Sequence, residues 1–326
     1  MGNSGLEFAA SPSQIWSDWL WQLSFLQSIN DEQLRLHVGF GYYLGAPIEN
    51  DLWRVNKWNT GDIVSGNKII DDYKHIINGI DPQFYLTELD KKYKLISIPF
   101  LLNEKDLNLS ADVVRMQVEV ANMYNLGILS GVESILEIGG GYGQLCAGLI
   151  NSRACNRYYI VDFPEILNVV NRWISTLELG IEIYNYTDIN FSDKNLYKSG
   201  LHLIPNRLLP MLTSAVNVDL LINTNSFFEM SNNQIHQYLS LKYINFNVLY
   251  SSNRDRSILN TELNSLSEIF KDYGQLWPDY NSLNYKKLVS LKKKVHLLYP
   301  DKTSSLPNFN FEKLHGIFGK EMPSMS

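Results

Sequence analysis

Two cysteines in 326 residues, Cys146 and Cys155, are too few to brace a fold with disulfides, and Cys146 falls in an apolar stretch where plain packing explains it. A reducing, cytoplasmic setting is the expectation. No apolar run approaches the ~18 residues that a membrane-spanning helix needs. No basic residue precedes Arg35, so a signal peptide is not expected, and Leu6 stands where an N-myristoylation signal wants Ser or Thr. Positive charge is also short: 28 Lys and Arg against 34 Asp and Glu give a net charge of −6, which argues against nucleic acid as the main partner. Zinc-type Cys/His spacing, a Gly-x-Ser-x-Gly nucleophile turn and a phosphate-cradling P-loop are all missing. Asp and Asn residues are scattered along the chain, and no spacing among them requires a metal.

What the chain does have is a strand, glycine turn, helix, strand unit over residues 134–162, SILEIGGGYGQLCAGLINSRACNRYYIVD. Residues 134–138 form the short apolar run of a buried parallel strand and lead directly into Gly139, Gly140, Gly141 and Gly143. Such glycines permit positive φ and let a ligand approach the main chain. Residues 145–150 suit a helix packed on a sheet, and 158–161 resume the strand pattern before Asp162. The spacing Glu137-x-Gly139-x-Gly141-x-Gly143 differs from the G-x-G-x-x-G of a dinucleotide site. Glu137 would repel a pyrophosphate but hold a cationic amino-acid end, and Asp162 stands where a carboxylate accepts both hydroxyls of a ribose. An adenosine ligand without phosphates is thereby favoured.

This pattern resembles the first two motifs of class I S-adenosylmethionine-dependent methyltransferases. GGGYGQL at 139–145 and INTNSFFEM at 222–230 narrow the resemblance to the sugar O-methyltransferases, over roughly residues 132–256. It implies a doubly wound, Rossmann-like, mainly parallel sheet. It further implies S-adenosylmethionine as cofactor, contacted by Glu137, Gly139, Gly140, Gly141, Tyr142, Gly143, Asp162 and Phe163. A group at the end of a later strand should meet the adenine amine; Asp188 and Asn206 are the candidates, and Asn206 is preferred. The reaction implied is O-methylation of a sugar hydroxyl on a glycan precursor or nucleotide-linked sugar, as in polysaccharide biosynthesis. Two rivals stand beside it: an NAD(P)-dependent oxidoreductase, against which Glu137 and the glycine spacing count, and a non-catalytic cofactor-binding subunit with the same fold.

Elsewhere, alternation of strands and helices continues. Pro164 and Gly180 bracket a helix with Ile166, Val169, Val170, Trp173 and Leu177 inward, and 181–186 reads as a third strand. Residues 216–222 form a clear strand, so Asn223, Thr224, Asn225 and Ser226 fall at the rim where open α/β sheets bind ligands. Ser231 caps a helix, and 247–251 is a fifth strand. Glu229, in the loop after 216–222, is the first candidate for the general base that a reacting hydroxyl needs; it reads equally as a carboxylate favoured beside a helix N-terminus. His236, His202 and Asp255 are further candidates, the histidines also reading as hydrogen-bonded structural residues.

The expected organisation is a mainly helical N-terminal extension or lid (1–115), a Rossmann-like domain (116–275) and a C-terminal extension (276–326). In the first, Trp16, Trp19, Leu20, Leu23 and Leu26 recur at helical spacing, a face suited to packing on the core or on a second subunit of a homo-oligomer. The Gly-, Tyr- and Trp-rich span 39–66 suits a pocket cover, with Trp53 and Trp58 as sugar-stacking candidates. Residues 110–127 predict a helix leading into the first strand. In the last part, Leu288, Leu291, Val295 and Leu298 predict an amphipathic helix; Lys286, Lys287, Lys292, Lys293 and Lys294 around it read better as a solvated face than as a phosphate site.

Overall fold

The structure is a computed structural model that describes residues 16, 20, 26–31, 34, 73–87, 89, 100–102, 107–109, 111–187, 192–240, 242–255, 260–276 and 294–300. The expected pocket cover at 39–66 with Trp53 and Trp58, the alternative Asp188, and Lys286, Lys287, Lys292 and Lys293 lie outside these residues. An antiparallel pair, β1 (Phe100–Leu102) and β2 (Leu107–Leu109), precedes helix α1 (Ala111–Asn125). There follow β3 (Ser134–Ile138), α2 (Gln144–Asn151), β4 (Arg157–Asp162), α3 (Pro164–Ile174), β5 (Ile183–Asn185) and β6 (Gly200–Pro205). The chain continues through β7 (Val216–Thr224), α4 (Asn232–Leu239), β8 (Ile244–Asn253), α5 (Leu266–Lys271), β9 (Gly274–Leu276) and β10 (Lys294–Pro300).

Eight strands form one Rossmann-like sheet in the order β5-β6-β4-β3-β7-β8-β10-β9, parallel from β5 to β8 and antiparallel at β10 and β9. All five residues of β3 and all six of β6 are buried, as strands covered on both faces must be. Successive side chains of a strand point to opposite faces. Ile135, Tyr158, Ile160, Leu201, Leu203, Leu220 and Ile222 accordingly join one core, beneath α1, α2 and α3. Leu136, Ile138, Tyr159, Val161, Ile204 and Leu221 join the other, with α4 and α5. The helices therefore lie on both faces, as the doubly wound expectation requires.

One expected element changes type. The spacing of Leu288, Leu291, Val295 and Leu298 fits a helix, yet residues 294–300 form β10, which adds to the sheet from within the span set apart as a C-terminal extension. Val295, Leu297 and Tyr299 enter one core and Leu298 the other, so the strand is buried on both sides and its period of two is hidden under continuous apolar character. Lys294 opens this strand, paired with Asn253, instead of sitting on a helix face.

The described N-terminal residues are tied down by Arg172 on α3. Its guanidinium donates to the carbonyls of Leu26 (2.7 Å) and Ile29 (2.8 Å) and to Asp31 (2.7 Å), while Leu26 and Leu34 are buried in the core that α3 shares. The Asp31 side chain is 58% exposed, so its ion pair is worth about 0–1 kcal/mol. Bonds from a cation to sheltered carbonyls are worth about 1.5–3 kcal/mol each. Arg172→Gln should consequently lower the urea midpoint clearly, whereas Asp31→Asn should leave it almost unmoved; equal effects would show that the ion pair, not the carbonyl clasp, holds the segment.

Candidate active site

Strand β3 lies between β4 and β7, and the chain leaves it toward β4 on one side before crossing back to β7 on the other. Open α/β sheets bind ligands at this reversal, outside the carboxyl ends of the strands. A cavity of about 310 Å³ opens there, within the range of small-molecule sites. Its glycine floor keeps shape for steric reasons. A Cβ at Gly139, where φ is +73°, would collide with Ser226 Oγ; one at Gly141, φ +54°, would meet nothing within 4 Å and would project into open space. Only the second position is a free approach to the main chain.

Three carboxyl groups face this cavity. Glu137, 2% exposed at the end of β3, accepts a 2.9 Å bond from Tyr158 Oη. Burial pushes its pKa up to about 8, opposed by the Tyr158 bond and helped by the charge of Asp162. Asp162, ending β4, accepts from Phe163 N at 2.8 Å. Burial raises it to about 7, the Phe163 and Gly140 N–H groups pull it back, and Glu229 adds repulsion. Glu229, in the short turn Phe227–Glu229 after β7, accepts from Trp16 Nε1 at 3.0 Å. Burial raises it to about 7 against that bond and the nearby Arg254. Burial thus brings the titration of all three carboxyl groups close to neutrality.

Of the expected cofactor contacts, Glu137, Gly139, Gly140, Gly141, Tyr142, Asp162, Phe163 and Asn206 line the cavity. Asn206 hydrogen-bonds the Tyr238 hydroxyl. Gly143 and Asn223 do not line it. Gly143, φ +92°, turns the chain into α2, and a Cβ there would press on Val170 and Ile174 at 3.1 and 3.0 Å. Asn223 is wholly buried behind the wall: its Nδ2 donates to Ile138 O at 2.8 Å, and its Oδ1 accepts from Phe227 N at 3.0 Å and Asn253 Nδ2 at 2.8 Å. It shapes the site without reaching a ligand.

Glu229 is the one proposed base that faces the cavity. His202 sits inside β6, stacked against Tyr159 and Tyr184 with ring centroids 4.8 and 4.7 Å away. Its Nδ1 meets Tyr186 Oη at 2.9 Å and its Nε2 meets Lys198 O at 2.8 Å, while burial lowers its pKa to about 4. Both nitrogens are spent on structure. His236 lies beside Tyr273, Nδ1 to Oη 2.6 Å, away from the cavity lining. Asp255 accepts from Ser265 Oγ, Ser267 N and Ser267 Oγ at the start of α5, a capping task. These three are corrections to the catalytic candidates.

Sequence reasoning missed Arg115, Gln144, Tyr238 and Arg254, which also line the cavity, and preferred a packing role for Trp16. Gln144 carried a signal in hindsight, since a polar residue inside GGGYGQL at the head of a helix has no packing reason to be there. It is 4% exposed; its Oε1 accepts from Tyr142 Oη at 3.2 Å and its Nε2 has no hydrogen-bond partner among the described residues. An orphaned donor, a glycine open to the cavity and a carboxyl-rich wall fit a ligand with both a cationic group and acceptor oxygens. S-adenosylmethionine has that donor set. Among the described residues no group of three or more His, Cys, Asp or Glu is arranged to hold a metal ion, and no helix is long and apolar enough to cross a membrane.

Comparisons with protein-family models and with curated proteins return no match. Solved structures with a similar fold include Thermoplasma acidophilum protein 1320, 12% identical, covering 60% of this chain and 92% of that one at a TM-score of 0.39. Another is an O-methyltransferase family protein from Burkholderia thailandensis, 12% identical, covering 58% of this chain and 59% of that one at 0.38. A third is the N-methyltransferase NodS from Bradyrhizobium japonicum WM9 in complex with S-adenosyl-L-homocysteine, 12% identical, covering 57% and 88% at 0.38.

A carboxyl that protonates more readily in the folded chain than in the unfolded one stabilises the fold at low pH and loses that contribution as pH rises. Glu137 moves from 4.5 to about 8, so the ligand-free protein should lose stability as pH increases across that interval. Thermal melts over the interval should show Glu137→Gln flattening the slope. A slope unchanged by the substitution would mean that Glu137 is already ionised in the folded chain.

Proposed function

We propose that this protein is an S-adenosylmethionine-dependent O-methyltransferase whose acceptor is a sugar hydroxyl. The observation that carries the reading is the placement of Glu229 in the same cavity as the Glu137–Gly141 turn and Asp162. When bound, S-adenosylmethionine supplies a methyl carbon on a cationic sulfur, open to in-line displacement by an oxygen. Glu137 offers its carboxylate to the cationic amino-acid end, Asp162 accepts the ribose hydroxyls, and Asn206 stands at the adenine side. Gln144 Nε2 is a donor for a ligand oxygen. Glu229 takes the proton of the acceptor hydroxyl as its oxygen attacks, and Trp16 Nε1 fixes one carboxylate oxygen so that the other faces the acceptor. Its pKa near 7 suits a base that must be ionised near neutrality yet hold the proton it receives.

Aromatic faces support a sugar as acceptor. Trp16 and Phe163 pack with centroids 5.9 Å apart at the cavity, and Phe228 stands beside Glu229. Pyranose rings stack on such surfaces while their hydroxyls reach polar neighbours. The expected setting remains a cytoplasmic step on a glycan precursor or nucleotide-linked sugar.

Two substitutions test the reading. Glu229→Gln keeps the bond from Trp16 but removes the base, so methyl transfer should fall ~10²–10⁴-fold with affinity for S-adenosylhomocysteine unchanged. The wild-type rate should fall as pH drops through about 7, where Glu229 protonates. Gly141→Val places a branched side chain at positive φ in the open approach and should abolish S-adenosylhomocysteine binding in calorimetry. Normal binding by that variant would remove the glycine turn from the cofactor site.

A further inference from the structure

The charges of the cavity are sorted by position. Glu137 and Asp162 end β3 and β4, whereas Arg254 directly follows β8, two strands away from β3. At the ~4.8 Å spacing of neighbouring strands this is about 10 Å across the sheet. Arg254 is half-buried, rests its guanidinium 5.6 Å from the Phe228 ring centroid, and forms no ion pair among the described residues. A second arginine, Arg115 on α1, lines the same cavity.

A buried network joins the elements that carry these two arginines. Glu119 lies one helical turn beyond Arg115 on the same face of α1. Its carboxylate, 3% exposed, accepts from Tyr250 Oη at 2.6 Å and from Ser252 Oγ at 3.0 Å on β8. Ser252 precedes Arg254 by two residues, and Arg254 lies just past the end of β8. Glu119 thus ties α1, which carries Arg115, to β8, which Arg254 follows, and both arginines belong to the cavity wall. Guanidinium groups in a sheltered cavity suit planar oxyanions, which each can bind through parallel N–H···O bonds.

We infer that Arg115 and Arg254 form an anion subsite, and that the acceptor is a hydroxyl compound carrying a phosphate or carboxylate group within reach of its reacting hydroxyl. That the anion belongs to the acceptor rests on the methyl-transfer reading; that the wall binds an anion does not. Glu229 lies between this wall and the Asp162 end of the cavity in strand order, so an acceptor anchored by its anion at β8 presents a hydroxyl to Glu229. A phosphorylated sugar and a uronic acid satisfy the same chemistry.

Calorimetry on the full chain separates the outcomes. Wild-type protein saturated with S-adenosylhomocysteine is titrated with glucose 1-phosphate, glucuronate and glucose, then compared with Arg254→Gln, Arg254→Lys and Arg115→Gln. At least one anionic sugar should bind about tenfold or more tighter than glucose, and each Gln variant should remove that advantage while S-adenosylhomocysteine affinity stays within about twofold. Arg254→Lys, which keeps charge without the planar fork, should retain part of it and controls for folding. The arm that binds tighter tells phosphate from carboxylate. Equal binding of glucose and both anions overturns the inference, as does a loss of S-adenosylhomocysteine affinity in the Gln variants with sugar binding unchanged, which would give the arginines to the cofactor's carboxylate. If wild-type protein fails to bind S-adenosylhomocysteine, the methyl-transfer reading falls; the same sugar series on the ligand-free chain then still decides the anion subsite.

Discussion

The carbonyl of Ile138 receives two hydrogen bonds at the point where the sheet reverses direction, from Asn223 Nδ2 at 2.8 Å and Ser226 Oγ at 2.9 Å. This one acceptor joins the end of β3 to the loop after β7. Asn253 extends the join to β8 by donating to Asn223 O and Oδ1. All the groups are buried, so none can exchange its partner for water without a desolvation cost. The ends of three strands are thereby locked in register, and everything they carry toward the cavity inherits the lock: Glu137, the glycine floor, Glu229 and Arg254. Among the described residues Asn253 Oδ1 is left without a partner, while the bonds that are made favour one arrangement over a family of them.

Upon that rigid base sits an electrostatic conflict. Glu137, Asp162 and Glu229 are withdrawn from water within one cavity and repel one another in sequence. Such groups lower the stability of the empty protein at neutral pH, and natural sites accept that cost where a ligand later relieves it. Under the proposed reading, a cation bound at the Glu137 end would relieve the repulsion that burial made expensive. In the proposed reaction a proton taken at Glu229 would do the same at the other end, moving the cavity toward charge balance.

The part of this design written in consecutive residues was legible. Strand, glycine turn, helix and strand follow one another between Ser134 and Asp162, and local pattern alone predicts where Glu137 and Asp162 stand. Glu229 was reached through the general rule for strand ends. Trp16, Arg115 and Arg254 come from elements that meet only in three dimensions, and nothing in the neighbouring letters marks them. Trp16 was indistinguishable from its apolar stripe, because an indole in a core and an indole donating to a carboxylate share one sequence context. His202 erred the opposite way: a histidine inside a strand looks reactive until both of its nitrogens are found bonded to Tyr186 and Lys198. The β10 strand was read as a helix because both of its faces are covered, which erases the alternation that identifies a strand.

Arg172 grips the N-terminal segment mainly by main-chain carbonyls, those of Leu26 and Ile29. Every amino acid offers the same carbonyl, so the clasp recognises a path of the backbone and not the letters that compose it. Asp31 is the one side chain it touches in the described segment, and that carboxylate is largely in water. Substitutions along the clasped stretch are therefore tolerated wherever the core contact of Leu26 is kept, while the arginine itself has no substitute of equal reach and geometry. A protein engineer seeking to graft a different N-terminal segment onto this sheet would need to preserve a helix ending at one place, and would be free to rewrite most of its exposed surface.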